Sequence, residues 1–313
     1  MMRIYDCFVG IDWSGARGPY QPGLAVFMAE AGKKAPQRIQ PPDGKYWSRK
    51  AIIDWLEAVS AKRRVLAGID FAFAYPVYDD RGENSRGEDS RGGNSRGEDS
   101  RGVRCGYFPD YADAPQDGPG LWQFIEEINK EAPHLYGGAI WDHPELGAYY
   151  NAPAGRRGAK FTSRRRQTEQ AARAVKSPSP TFNCVGPAGV GTGSLSGMRL
   201  LHHFQPRAEI WPFGNCRTGD KNLTLVEIFP SYYFALAGIK AVRGQHGQLS
   251  VLNTALAYFG SEGLADDFHA AGPDFDEADA AISAAALRAL AGKPDIWSPG
   301  GASKCEGWIF GVK

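Results

Sequence analysis

The sequence predicts an α/β domain: a mixed sheet flanked by helices. Three observations carry that prediction. An apolar run, Val9-Gly10-Ile11, ends in Asp12 and turns at Ser14-Gly15. Ala67-Gly68-Ile69-Asp70-Phe71 repeats the pattern downstream, so two short hydrophobic segments each deliver a Gly-Ile-Asp followed by an aromatic residue. Between them Ile52, Ile53, Trp55, Leu56 and Val59 recur at helical spacing, giving strands alternating with a helix.

Residues 4–12 read as a strand too apolar on both faces to lie at an edge. Residues 24–28 form a second strand after a Gly/Pro-containing loop, and a weaker third lies near Arg38-Ile39. Ser48 is placed to cap the first helix, and Val65 to Asp70 returns to a strand, the fourth. From 81 to 102 the chain falls into a five-residue Arg-Gly repeat without an apolar side chain. Such a segment buries too little surface to offset the entropy of ordering and is expected to be disordered. Its arginines are roughly matched by acids, so it lacks the positive charge of an RNA-binding tract.

Residues 121–130 carry helical spacing, and a Pro/Gly/Tyr-rich stretch follows. The run Arg156, Arg157, Lys160, Arg164, Arg165, Arg166, Arg173 and Lys176 contains Glu169 as its only acid, and its natural complement is a phosphate-bearing partner. Gly186 to Ser194 is a glycine-rich turn before a helix over 195–204. Such a turn can cradle phosphate, but the Walker lysine is absent and a plain loop is the simpler reading. Strands return at 208–213 and 223–229, the latter carrying Glu227, and Ser231 caps a short helix through Leu236. An Ala-rich helix opens at Asp276-Glu277-Ala278-Asp279 and runs to about Leu290, and 306–312 forms a closing strand or tail.

The chain has 313 residues, 42% of them hydrophobic, and a formal net charge of +1, which fits a globular protein of ordinary composition. The near-neutral charge argues against a nucleic-acid coat protein. No apolar leader precedes a cleavage site, and the Ala-rich run is too short to span a bilayer, so no membrane and a cytoplasmic location are expected. Five scattered cysteines without a CxxC pair fit thiols better than a disulfide frame or a zinc site. His143 and the pair His202-His203 read as ordinary surface or core residues.

The acids carry the functional reading. An ionised Asp at the end of a buried strand needs a partner or a metal, because an isolated charge taken from water costs several kcal/mol, about, or is neutralised by a pKa shift. The simpler alternative is that each Asp hydrogen-bonds the amides of its own turn. Asp276 and Asp279, three apart, share a helix face, where the helix dipole alone also favours negative charge. Together Asp12, Asp70, Glu227, Asp276 and Asp279 form an all-oxygen set suited to Mg²⁺ or Mn²⁺, and the absence of HExxH or Cys/His clusters speaks against catalytic zinc.

The stretches Gly10-Ile11-Asp12-Trp13-Ser14-Gly15, Gly68-Ile69-Asp70-Phe71, Val226-Glu227-Ile228-Phe229-Pro230 and Asp276-Glu277-Ala278-Asp279-Ala280-Ala281 resemble, in the same chain order, the predicted RNase H-fold nucleases of domain-of-unknown-function family 429. The resemblance implies one RNase H-like domain over 1–313, with a large insertion over 78–205 after the fourth strand. It implies metal ligation by Asp12, Asp70, Asp276 and Asp279, with Glu227 as an auxiliary catalytic acid. Arg165-Arg166-Gln167-Thr168-Glu169 resembles an Arg-rich element of the family, which implies that Arg164, Arg165 and Arg166 meet substrate phosphate. The expected activity is metal-dependent hydrolysis of phosphodiester bonds in a nucleic acid. The competing expectation is a non-catalytic nucleotide-binding or scaffold protein on the same fold. An actin-like kinase would need a second copy of the core, which the chain lacks.

Overall fold

The computed structural model describes residues 4–42, 44–77, 106–186, 189–214, 221–239 and 245–313. The Arg-Gly repeat at 81–102 lies outside them. A six-stranded sheet organises the chain. Strand β1 (Cys7–Asp12) pairs antiparallel with β2 (Ala25–Glu30), which pairs antiparallel with the short β3 (Gln37–Arg38). Helix α1 (Arg49–Ser60) follows and leads into β4 (Val65–Ile69), which lies parallel to β1.

Helix α2 (Gly118–Asn129), the two-residue strands β5 (Asn151–Ala152) and β6 (Arg156–Arg157), α3 (Gln167–Ala172) and α4 (Val190–Phe204) come next. The sheet then resumes with β7 (Glu209–Ile210) and β8 (Leu223–Glu227). Helices α5 (Pro230–Leu236), α6 (Leu249–Tyr258) and α7 (Asp276–Leu290) complete the chain. The strand order is β3-β2-β1-β4-β8-β7; β4, β8 and β7 continue parallel to β1. The mixed sheet flanked by helices is the fold class expected from the sequence.

Alternation along the strands divides the core in two. Cys7, Val9 and Ile11 of β1 face one layer with Ile52 and Leu56 of α1, Trp122 of α2 and Met198 of α4. Phe8 of β1, Leu66 of β4 and Val226 of β8 face the other, with Tyr233 of α5, Leu252 of α6 and the alanine face of α7. β1 and β4 are buried along their whole length, as central strands covered on both faces must be.

Local chemistry sets most boundaries. The amide of Ala51 donates to Ser48 Oγ at 3.0 Å, so Ser48 caps α1 as its sequence position predicts. Three expectations are corrected. Helix α4 begins at Val190, so the glycine-rich run expected to be a plain loop supplies its first turn. Helix α5 starts at Pro230 without a side-chain cap, so Ser231 does not have the role given to it. Of the two readings of 306–312 the structure shows the tail: it makes isolated bridges, Glu227 to Ile309 (parallel) and Ser303 to Gly307 (antiparallel), and Trp308, Ile309 and Phe310 are buried. Cys7 and Cys184 are free and buried, whereas Cys305 is disulfide-bonded, contrary to the expectation of thiols throughout.

Candidate active site: carboxylates at the ends of two central strands

β1 and β4 are in register at Gly10↔Gly68 and Ile11↔Ile69, and the amide of Asp70 donates to the carbonyl of Ile11 at 3.0 Å. One step further along, Asp12 and Asp70 stand at neighbouring strand ends. Both belong to the even-numbered set that looks toward α7, as Gly10 and Gly68 do. A Cβ on Gly10 would fall 2.2 Å from the Ala280 carbonyl oxygen of α7, and one on Gly68 would fall 2.4 Å from Ile228 and 2.9 Å from Leu287. Bare glycine backbones let α7 settle on the strands, and its first turn, with Asp276 and Asp279, comes to rest at their carboxylate ends. The two glycines of the Gly-Ile-Asp repeat are thus spacers for the helix that brings the second pair of acids.

The residue after each Asp points to the opposite face. Trp13 and Phe71 pack together there, ring centroids 5.7 Å apart, and both meet α4: Trp13 Nε1 donates to Ser196 Oγ at 2.8 Å, and the amide of Ala72 donates to Ser194 Oγ at 3.2 Å. Buried Arg49 of α1 fixes the turn after β1 by donating to the carbonyls of Ser14 and Ala16 at 2.9 and 2.5 Å. Both acid-bearing strand ends are therefore braced by two helices on one side and α7 on the other.

The acids act on one another. Burial, followed by the charges of Asp279 and Asp70 and by hydrogen bonding with Asp276, holds the Asp12 carboxyl well above its ordinary value. Burial, then the charges of Glu227 and Asp276, push Asp70 up to about 8. Burial, then Asp70, Asp276 and Asp274, raise Asp279 in the same sense. Mutual elevation of this kind means that the cluster does not carry its full negative charge without a counter-charge. Asp276 is wedged between two glycines: a Cβ on Gly23 would lie 3.1 Å from its Oδ1, and one on Gly272, at φ +101°, would lie 2.0 Å from its Oδ2.

Carboxylate oxygens are the ligand type that a hard divalent cation takes, and Asp279 Oδ1 is a buried oxygen with no hydrogen-bond partner. His246 Nδ1, stacked face to face on Phe234, lies 3.9 Å from that oxygen, beyond hydrogen-bonding reach. Among the described residues no group of three or more His, Cys, Asp or Glu side chains is arranged to hold a metal ion. The acids are collected in one place without forming a closed cage.

Glu227 stands apart from the four aspartates. It is buried, accepts from the amide of Phe73 at 2.9 Å, and meets Arg166 at two points, Nη1 to Oε2 at 2.7 Å and Nη2 to Oε1 at 2.5 Å. Arg166 also donates from Nε to Glu169 Oε1 at 2.8 Å and to the carbonyl of Glu306 at 3.1 Å. Arg164 is buried too, donating to the carbonyls of Pro76 and Tyr107 and lying over the Phe182 ring. This corrects the expectation that Arg164 and Arg166 present free charge to phosphate: one guanidinium braces loops and the other neutralises two buried glutamates. Arg165 keeps partial exposure, with Nη1 on the carbonyl of Pro178.

A cleft of about 430 Å³ opens beside Asp70, between the Trp13–Ala16 turn, the Arg166–Glu227 pair and the first turn of α4. No family model, curated protein or solved structure matches this chain. The site therefore stands on its own geometry.

Sequence reasoning missed Arg49, Arg166 as an internal partner, Thr181 and His246. Only Arg166 left a local trace, three residues before Glu169, where a helix start makes the pair meet. Arg49 meets carbonyls of distant loops, His246 stacks on Phe234 of α5, and Thr181 Oγ1 has no partner, none of which local spacing encodes.

Proposed function

We propose that this chain is a divalent-cation-dependent phosphodiester hydrolase acting on nucleic acid, built on an RNase H-like core. The observation that carries the proposal is the gathering of Asp12, Asp70, Asp276 and Asp279 from two register-neighbouring strand ends and one helix start, where burial and the charges of neighbouring acids raise the pKa values of Asp12, Asp70 and Asp279. The sheet supports the RNase H-like reading: three antiparallel strands, then parallel strands added on the far side of β1. On that reading the stretch from 78 to 205 is an insertion into a minimal core, and α2 and α4 are its contribution to the packing around the site.

Asp12, Asp70, Asp276 and Asp279 would hold Mg²⁺ or Mn²⁺, which supplies an activated water and stabilisation of the leaving oxygen. Asp279 offers its unpartnered Oδ1. Asp70 is the one of the four aspartates that lines the cleft, and so the acid best placed to meet a substrate held there. Glu227 acts at one remove: bound by Arg166, it fixes the Phe73 amide and adds negative charge beside Asp70. Arg165, the one of the three arginines that is not fully buried, is the remaining candidate for a substrate phosphate.

The test is incubation of purified protein with end-labelled DNA and RNA, in Mn²⁺, in Mg²⁺ and in chelator. Cation-stimulated cleavage that falls to background in Asp12→Asn is the expected result. Absence of cleavage on every substrate, with Asp12→Asn indistinguishable from the parent in cation binding, removes the catalytic reading. The non-catalytic nucleotide-binding alternative then takes its place, favoured by the open arrangement of the acids.

A further inference from the structure

One wall of the cleft that Asp70 lines is made by the start of α4, a helix of 15 residues with no acid in its first turn and no side chain capping it. The first amides of a helix have no partner within it, and the helix dipole makes that end positive. Here Gly189 and Gly191 give their amides to the carbonyls of Gly186 and Asn183, each at 2.9 Å, and Val190, Thr192 and Gly193 complete the turn where it lines the cleft.

A second observation comes from another loop. Thr181 lines the same cleft, is completely buried, and its Oγ1 has no hydrogen-bond partner. Its backbone is pressed against α4, since a Cβ on Gly191 would lie 2.4 Å from the Thr181 carbonyl oxygen. A buried hydroxyl left unsatisfied costs about 1–3 kcal/mol, so a threonine here is unfavourable for folding alone. Valine would fill the same volume without that cost. The arrangement has a use if a ligand oxygen completes it.

We infer that the start of α4 and the Thr181 hydroxyl form a phosphate-binding subsite, which takes one phosphate group of a nucleotide beside the carboxylate cluster. Amides at a helix start and a hydroxyl donor recognise phosphate oxygens without needing an arginine. Arg166, itself in the cleft wall, offsets part of the charge of the Glu227 and Glu169 carboxylates that also line the cleft. Assigning the bound group to a nucleotide flanking the cleaved bond rests on the hydrolase reading; the binding of phosphate itself does not.

The experiment is therefore done in chelator, without turnover, by titrating inorganic phosphate and then a 5′-phosphorylated dinucleotide and its 5′-hydroxyl counterpart into the full chain, read by ³¹P line broadening and calorimetry. The parent should bind phosphate saturably, and the phosphorylated dinucleotide more tightly than the unphosphorylated one. Thr181→Val should weaken binding about tenfold, the loss of one hydrogen bond to a charged acceptor, and Thr181→Ser should restore it. Thr181→Val should also melt no lower than the parent in phosphate-free buffer, a result that a purely structural threonine would not give. Val190→Glu, which places a charge at the exposed helix start, should keep or raise stability while competing with phosphate. No saturable binding by the parent, or equal binding by Thr181→Val, overturns the subsite. Phosphate binding without any cation-stimulated cleavage keeps the subsite and removes the hydrolase.

Discussion

Arg166 and Glu227 form a two-point ion pair in the interior, with side chains 1% and 3% exposed, linking a residue at the start of α3 to the last residue of β8. Charge pairs this deep exist because each partner makes the other tolerable, and the attraction does little more than balance the cost of leaving water. Glu169, Glu227 and Glu306 surround the one guanidinium. The network is the latch that closes the segment after β4 onto the sheet.

Removing the cation from that latch should be severe. Arg166→Met leaves Glu169 and Glu227 buried side by side and is expected to cost about 3–5 kcal/mol in urea unfolding. Adding Glu227→Gln to Arg166→Met should recover part of the loss, because one uncompensated charge goes with it. If the double variant proves less stable than the single, the pair is not the source of the effect.

Stability of the metal-free protein should fall as pH rises. Asp70 holds its proton more tightly when folded, at about 8, than at its ordinary 3.8. The stabilisation from that proton is complete below the lower value, declines between the two, and is gone above the upper. Asp12 and Asp279 shift in the same direction. Melting temperature in chelator should therefore decline across this window, and Asp70→Asn should flatten the slope. An upward slope, or one indifferent to Asp70→Asn, contradicts the electrostatic picture of the cluster.

A divalent cation should reverse that decline. Mn²⁺ at a concentration well above its Kd stabilises the folded state by mass action, about 2.7 kcal/mol at a hundredfold excess over Kd. The rise in melting temperature should be larger at the alkaline end of the window, where protons no longer compete for the carboxylates. Asp12→Asn should abolish it. A rise that survives in Asp12→Asn places the ion elsewhere on the molecule.

Two glycines make a matched pair for the packing argument. Gly10→Ala drives a methyl into the α7 backbone and should destabilise the protein by about 1–3 kcal/mol or more, with cation binding impaired as Asp276 and Asp279 move. Gly193→Ala meets nothing nearer than Trp13 Cδ1 at 4.0 Å and lies within α4, where alanine is favoured over glycine by about 1 kcal/mol. It should leave stability unchanged or improve it. Similar thermal denaturation of the two variants would refute the close approach of α7 to β1.

The acids were legible because strand ends and helix starts announce themselves locally. Asp12 and Asp70 end apolar runs, and Asp276 and Asp279 share one helix face by spacing alone. The arginines were misjudged for the same reason. A cluster of positive charge in sequence reads as a surface for phosphate, yet Arg164 and Arg166 lie buried, and beyond Glu169 and Phe182 they meet partners from 57 to 140 positions away, a distance at which no periodicity encodes a partner. The start of α4 was misplaced because its first turn is rich in glycine, which has poor intrinsic helix preference. Packing on Trp13 and Phe71 decides the matter instead.

By itself, the sequence determined the alternation of strands and helices, the mixed sheet and the placing of acids at two strand ends and a helix start, since these follow from side-chain period and capping chemistry. Only the tertiary structure decided that Asp12 and Asp70 look to the same face, that the glycines before them admit α7, and that the basic segment turns inward. Those outcomes depend on register and on contacts between residues distant in the chain, and a one-residue shift of β4 against β1 would have sent Asp70 to the other side of the sheet.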